Sequence, residues 1–184
     1  MPRRLLRNGQ IVPDEWLYVA EAQAADAVQA AGAVQAAGAG ASPLILGFDQ
    51  WQAEREQWLA NGERRLGVIL SPAHKVEQLA PDLARLALVG AEFSGPSEGR
   101  GYTQGRLLRE RWKFAGELRA TGYVHRDQLF FLARCGFNSF ELPDGDLEHA
   151  YTALSTFSAA YQPSNDAGLP LKLQRRPRDT PATV

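Results

Sequence analysis

The chain has 184 residues, enough for one domain of ordinary size with a real core, and 45% of them are hydrophobic against 22% charged, the balance of a folded globular protein. Twenty Lys and Arg against 21 Asp and Glu leave a net charge of -1, which excludes a molecule built throughout for nucleic acid or anionic lipid, so any basic function must be local. One cysteine, Cys135, excludes an internal disulfide, a Cys-x-x-Cys pair and an iron-sulfur cluster held by this chain alone. Without a signal-peptide core or an apolar span, the expectation is a cytoplasmic protein with no membrane and no nucleic-acid partner.

Asn8-Gly9 between two short apolar runs predicts a tight hairpin, placed within residues 3–19. Residues 20–42 then carry Ala27-Val-Gln-Ala-Ala-Gly32 and its unchanged repeat Ala33 to Gly38, read as a low-complexity insertion. From residue 43 to 162 the pattern becomes βα repeats. Strands are expected at 44–46, 66–70, 88–93, 117–121 and 139–142, and helices at 51–59, 75–86, 103–113, 127–135 and 147–161. The fold class is therefore α/β: a mostly parallel sheet of βα repeats, half-barrel-like or a small doubly wound sheet, with an N-terminal β-hairpin. Residues 1–162 form a single domain in this reading, and 163–184 a Pro- and Arg-rich tail expected to be partly disordered. Four or five βα units are too few to close a barrel, so a homodimer is expected.

Charge is unevenly placed. Between Glu98 and Arg134 there are eight basic and four acidic residues, so this window is +4 and the remainder -5. Seven of the eight are Arg, the residue suited to planar recognition of oxyanions. The strand at 88–93 is followed by Gly95, Gly99, Gly101 and Gly105, a Gly-rich entry to a helix where backbone amides and the helix dipole attract anions. The candidate anion-binding residues are Gly99, Arg100, Gly101, Tyr102, Thr103, Arg106, Arg109 and Arg119, with Glu98, Arg111, Glu117, Arg126 and Asp127 in support.

On that helix Arg106, Arg109, Glu110 and Lys113 share one face, and Arg111 falls on the apolar arc with Glu92 and Glu117 as expected partners. A solvated face or a core-edge ion pair is the competing reading of these arginines. The strand at 117–121 alternates Glu117, Arg119 and Thr121 with small and apolar residues, so one of its faces is polar. Such a face needs a ligand cavity, a partner or a salt-bridge network. Asp127 reads as a helix N-cap, His125 as polar surface or an acid or base, and Cys135 as buried packing before the helix terminator Gly136. The histidines His74, His125 and His149 lack metal-ligand spacing, so no metal is expected. Gly99-Arg-Gly-Tyr-Thr-Gln-Gly105 is one residue too long for a dinucleotide fingerprint.

The runs Glu98-Gly-Arg-Gly-Tyr-Thr-Gln-Gly-Arg-Leu-Leu-Arg-Glu-Arg111, Gly116-Glu-Leu-Arg-Ala-Thr-Gly122, Arg126-Asp-Gln-Leu129 and Arg134-Cys-Gly-Phe-Asn-Ser-Phe140 closely resemble the bacterial family of domain of unknown function 934. The departure is Glu98-Gly-Arg100 where that family usually has Asp-Gly-Arg. The resemblance implies an oxidoreductase or accessory protein of assimilatory sulfite reduction, without a defined reaction. Taken with the Arg- and Gly-rich loop, that pathway gives the expectation of a small sulfur oxyanion or the anionic group of a cofactor as ligand. The alternative is a non-catalytic module docking on sulfite reductase or its electron donor through the basic patch. A flavin or nicotinamide phosphate at the Gly-rich loop is a third reading, and the cofactor is otherwise unknown.

Overall fold

The structure is a computed structural model and describes residues 3–19, 42–60, 64–154 and 164–165. The Ala-rich duplication and nearly all of the tail lie outside the described residues. Ser164 and Asn165 are described, and Asn165 N-H donates to the carbonyl of Arg134 at 3.0 Å.

The hairpin forms as expected. Asn8 and Gly9 have φ of 51° and 78°, the paired left-handed residues of a type I′ turn, and they join β1 (Arg4–Arg7) to β2 (Gln10–Pro13). The remaining strands are β3 (Leu17–Tyr18), β4 (Leu44–Gly47), β5 (Leu66–Leu70), β6 (Leu88–Phe93), β7 (Glu117–Gly122) and β8 (Ser139–Phe140). The helices are α1 (Phe48–Ala60), α2 (Val76–Leu79), α3 (Arg100–Glu110), α4 (Leu129–Arg134), α5 (Asp144–Leu147) and α6 (Ala150–Leu154). The helix expected at 75–86 is shortened to α2 and a 3-10 turn at Ala80–Arg85, because Pro81 cannot donate the next helical hydrogen bond. Of the last helix, expected at 147–161, the described part is α6, preceded by the short α5 that ends at Leu147; residues 155–161 lie outside the described residues.

Sheet order is β2-β1-β8-β7-β6-β5-β4-β3, with every pair from β3 to β8 parallel and the hairpin antiparallel to β8. The parallel strands step across the sheet in one direction without reversal. A doubly wound sheet requires a reversal, so the half-barrel alternative is the one realised. Right-handed crossovers in one direction put the helices on one face. The core shows it, since Leu46, Val68, Val89, Phe93 and Leu118 cluster with Trp51, Leu79, Leu108, Leu129 and Leu132 from the helices.

The sheet must also curl strongly. Its two edge strands, β2 and β3, are joined by only Asp14, Glu15 and Trp16, a reach of about 14 Å from Pro13 to Leu17. Eight strands laid flat would hold those edges roughly 34 Å apart. The linking segment therefore lies across the concave face, where Trp16 packs on Ile45 and Leu88. The N-terminal strands thus extend the sheet beyond the βα units, and the chain folds over its own open side. No helix among the described residues is long and apolar enough to cross a membrane.

Candidate functional site

The polar face of β7 lies inside the curl, and a salt-bridge network fills it. Arg119 is 0% exposed and uses all five guanidinium donors on carboxylates. Nε and Nη2 donate to Glu117 at 3.0 and 2.8 Å, Nη1 and Nη2 to Asp14 at 3.0 and 3.1 Å, and Nη1 to Glu141 at 3.1 Å. Burial disfavours its charge, but Asp14 and Glu117 outweigh that and hold the pKa above its ordinary value. Tyr18 donates to Glu141 from the opposite side, and Arg7 bridges Glu117 and Glu15 at 3.4 and 3.1 Å. Arg119 therefore has no donor left for an outside anion. Of the three roles open to this face, the structure realises the ion-pair network, and the partner Asp14 comes from the crossing segment.

Around α3 the expected convergence of arginines is also absent. The helix begins at Arg100 rather than at residue 103, so Gly101, Tyr102 and Thr103 lie in its first turn. A Cβ at Gly101 would sit 2.5 Å from the Phe93 ring, and one at Gly105 2.3 Å from Phe137. These two glycines let the helix lie close on the core. Tyr102 packs edge-on against Phe93, with ring centroids 5.3 Å apart, and Thr103 faces solvent. At the helix entrance the anion is the chain's own Glu98. Its carboxylate accepts from Arg100 N-H at 2.9 Å and from the Arg100 guanidinium at 2.9 and 2.7 Å, bonds that hold its pKa down to about 2.

The other arginines are similarly engaged. Arg106 pairs with Glu110 at 2.9 Å on the exposed face. Arg111 is not on the apolar arc: it caps the helix end, is 61% exposed and pairs with Glu77 at 3.3 Å rather than with Glu92 or Glu117. Arg109 donates to the carbonyls of Gly136 at 3.0 Å, Gly116 at 2.9 Å and Phe114, and burial lowers its pKa. It is a brace between α3 and the loops before β7 and β8. Lys113 ends this stretch in a left-handed conformation and is exposed.

Arg126 is different. Its guanidinium has no hydrogen bond or ion pair among the described residues, although its charge and its backbone N-H help to hold the Asp146 pKa down. It stands past the carboxyl end of β7, where ligands of barrel-like sheets bind, on a cavity of about 360 Å³ lined also by Pro96, Tyr123, His125, Asp127, Gln128 and Asp146. The N-cap of the 3-10 turn Arg126–Gln128 is His125, not Asp127, and the Gln128 side chain accepts the His125 N-H at 2.8 Å. Asp127 consequently keeps its carboxylate free at the cavity wall.

His125 is held at both sides. Nδ1 donates to Asp146 Oδ2 at 2.9 Å, and the ring meets Tyr123 edge-on at 4.5 Å. The bond to His125 lowers the Asp146 pKa. With Nδ1 carrying the proton, Nε2 is the acceptor, and it has no hydrogen-bond partner among the described residues. His74 makes the contrast: Ser71 N-H donates to its Nδ1 and its Nε2 reaches Asp49, both at 3.1 Å. Among the described residues, no three His, Cys, Asp or Glu side chains gather as metal ligands.

The sequence match to a family covers residues 67–172, and that family is described as bacterial protein of unknown function, DUF934. The chain belongs to the DUF934 family. No curated protein matches it. Among solved structures, thiamine phosphate pyrophosphorylase from Pyrococcus furiosus is similar at 17% identity and a TM-score of 0.43, over 63% of this chain and 58% of that one. The chain thus spans less than two thirds of that protein.

For this DUF934 chain, the sequence pointed to Arg126 and Asp127 only as support, left His125 between polar surface and an acid or base, and did not point to Asp146 or Tyr123. The available signal was positional: Asp146, in the helix that follows the last strand, and His125, in the turn after β7, both lie beyond the carboxyl ends of parallel strands.

Proposed function

We propose that the protein serves assimilatory sulfite reduction, as an accessory protein or oxidoreductase, and that it holds a sulfur oxyanion or the anionic group of a cofactor in the cavity at Arg126. The pathway is supported by the motif resemblance between residues 98 and 140. The site is supported by one observation above all: an unpaired guanidinium opens on the same cavity as an imidazole already oriented by a carboxylate. Arg126 supplies the charge and a planar pair of donors. Neutral His125 accepts a proton from a bound acid at Nε2; once protonated, it donates to the anion while Asp146 stabilises the imidazolium.

The exposed arginines give weaker support to docking on sulfite reductase or its electron donor. Arg100, Arg106 and Arg111 each pair with a carboxylate of this chain, which leaves that face close to neutral.

Sulfite, sulfate and phosphate titrated separately into the full chain test the reading. A ligand at a hundred times its Kd adds about 2.7 kcal/mol of stability, visible as a raised Tm. Arg126→Gln should remove that rise and Arg106→Gln should preserve it. If none of the three anions raises Tm or moves the His125 ring resonances, the cavity is not an oxyanion site.

A further inference from the structure

The cavity at Arg126 has a neighbour. A second space of about 520 Å³ is lined by Arg126, Asp127, Phe130, Phe131, His149, Thr152 and Ala153, so Arg126 and Asp127 form the wall that the two share. Apart from that wall the two differ in chemistry. The first is rimmed by His125, Tyr123 and Asp146; the second has the side chains of Phe130 and Phe131, whose rings meet edge-on at 5.4 Å. Phe131 is 52% exposed. An aromatic side chain that far out of the core, at the wall of a concavity, keeps apolar surface in water that a planar ligand would cover.

We infer that the joined cavities form one site for a heteroaromatic monophosphate, a planar ring joined through a hydroxylated linker to a phosphate. This rests on the anion site proposed above and extends it from the charged group to the whole ligand. Both spaces fall within the usual size of small-ligand pockets. A bare oxyanion would occupy the polar cavity and leave the aromatic one wet. A wholly apolar ligand would leave the Arg126 guanidinium unanswered. The shared wall selects between these, because a ligand reaching from one space into the other passes both Arg126 and Asp127. The phosphate binds at Arg126 and His125. The free Asp127 carboxylate repels a second anionic group at the junction and accepts hydrogen bonds from linker hydroxyls. The ring lies against Phe131, beside His149.

Flavin mononucleotide is the probe, added to the full chain and followed by quenching of its fluorescence, with riboflavin and inorganic phosphate as its two halves. Flavin mononucleotide should bind about tenfold tighter than either, since riboflavin lacks the phosphate for Arg126 and phosphate lacks the ring for Phe131. Phe131→Ser should weaken flavin mononucleotide about tenfold and leave the phosphate-induced rise in Tm unchanged. Thr152→Trp, which fills the aromatic cavity from an exposed position, should do the same without removing core packing. Arg126→Gln should weaken both ligands. If phosphate binds but flavin mononucleotide binds no tighter, the inference fails and the anion site stands. If neither binds, both fail. Binding of flavin mononucleotide that survives both Phe131→Ser and Thr152→Trp lies elsewhere and overturns the inference.

Discussion

Tyr18 of β3 donates its phenolic hydrogen to Glu141, the residue that follows β8, across the hollow of the sheet. The two strands are five places apart in the sheet order, so this single bond records how far the sheet has curled. Burial, and then the Glu141 charge, push the Tyr18 pKa well above its ordinary value, and the phenol remains a donor. Glu141 shares its Oε1 between Tyr18 and Arg119, so the two edges of the parallel run and its second strand meet at one oxygen.

Removing Arg119 would therefore leave Asp14, Glu117 and Glu141 facing one another without their common cation. Arg119→Met should cost about 3–5 kcal/mol, the scale for breaking a buried charge pair from one side. Tyr18→Phe, which deletes one donor and leaves Arg119 in place, should cost about 1–2 kcal/mol. Urea unfolding of both variants measures the difference, and an Arg119→Met protein as stable as the parent would show that the network does not hold the curl.

Arg109 and Arg126 should separate scaffold from site. Arg109→Met leaves the carbonyls of Phe114, Gly116 and Gly136 without their donor, at a cost of about 1–3 kcal/mol. Its oxyanion affinity, measured well below the unfolding range, should be unchanged. Arg126→Gln should show the reverse, with an unaltered denaturant midpoint in buffer and lost anion binding.

Glu98 gives a pH signature of defined sign. Its pKa in the folded chain is about 2, against an ordinary 4.5, chiefly because Arg100 donates to its carboxylate. A carboxyl lowered by folding stabilises the protein fully above its ordinary pKa, and that contribution is lost as pH falls from about 4.5 towards 2. Glu98→Gln should flatten this part of the stability curve, and a carbon-detected NMR titration should find the Glu98 carboxyl still ionised at pH 3.5 or so. A titration midpoint near the ordinary value would contradict the Arg100 contact.

Gly105→Ala tests why the glycines are present. The added methyl meets the Phe137 ring at 2.3 Å, so α3 or Phe137 must move, an overpacking cost of about 1–3 kcal/mol. Gly99→Ala meets nothing within 4 Å and should cost little. Equal losses for the two variants would mean that the close approach of α3 to the core is not what Gly105 provides.

What the sequence made legible was local. Asn8-Gly9 announced the hairpin, and the apolar runs 66–70 and 88–93 became β5 and β6 without change. The choice between a half-barrel and a doubly wound sheet depends on the spatial order of strands, which no local period encodes. The arginine cluster was visible as charge, but its partners were not. Asp14 lies 105 positions from Arg119, and Glu77 lies 34 from Arg111. A window of sequence counts the cations and misses the distant carboxylates that hold them. For the same reason His125 could not be matched with Asp146, 21 positions later, until both were seen at one end of the sheet.

The pairing of β1 with β8, at Leu6 and Phe140, also has a kinetic corollary. During synthesis the hairpin is made long before the strand it docks on, and Tyr18 must wait 123 positions for Glu141. Closure of the hollow is thus among the last events open to the growing polypeptide, and contacts of such long sequence separation slow folding. Until then Arg119 and its acidic neighbours stay hydrated, and the final assembly step must strip that water from all of them together.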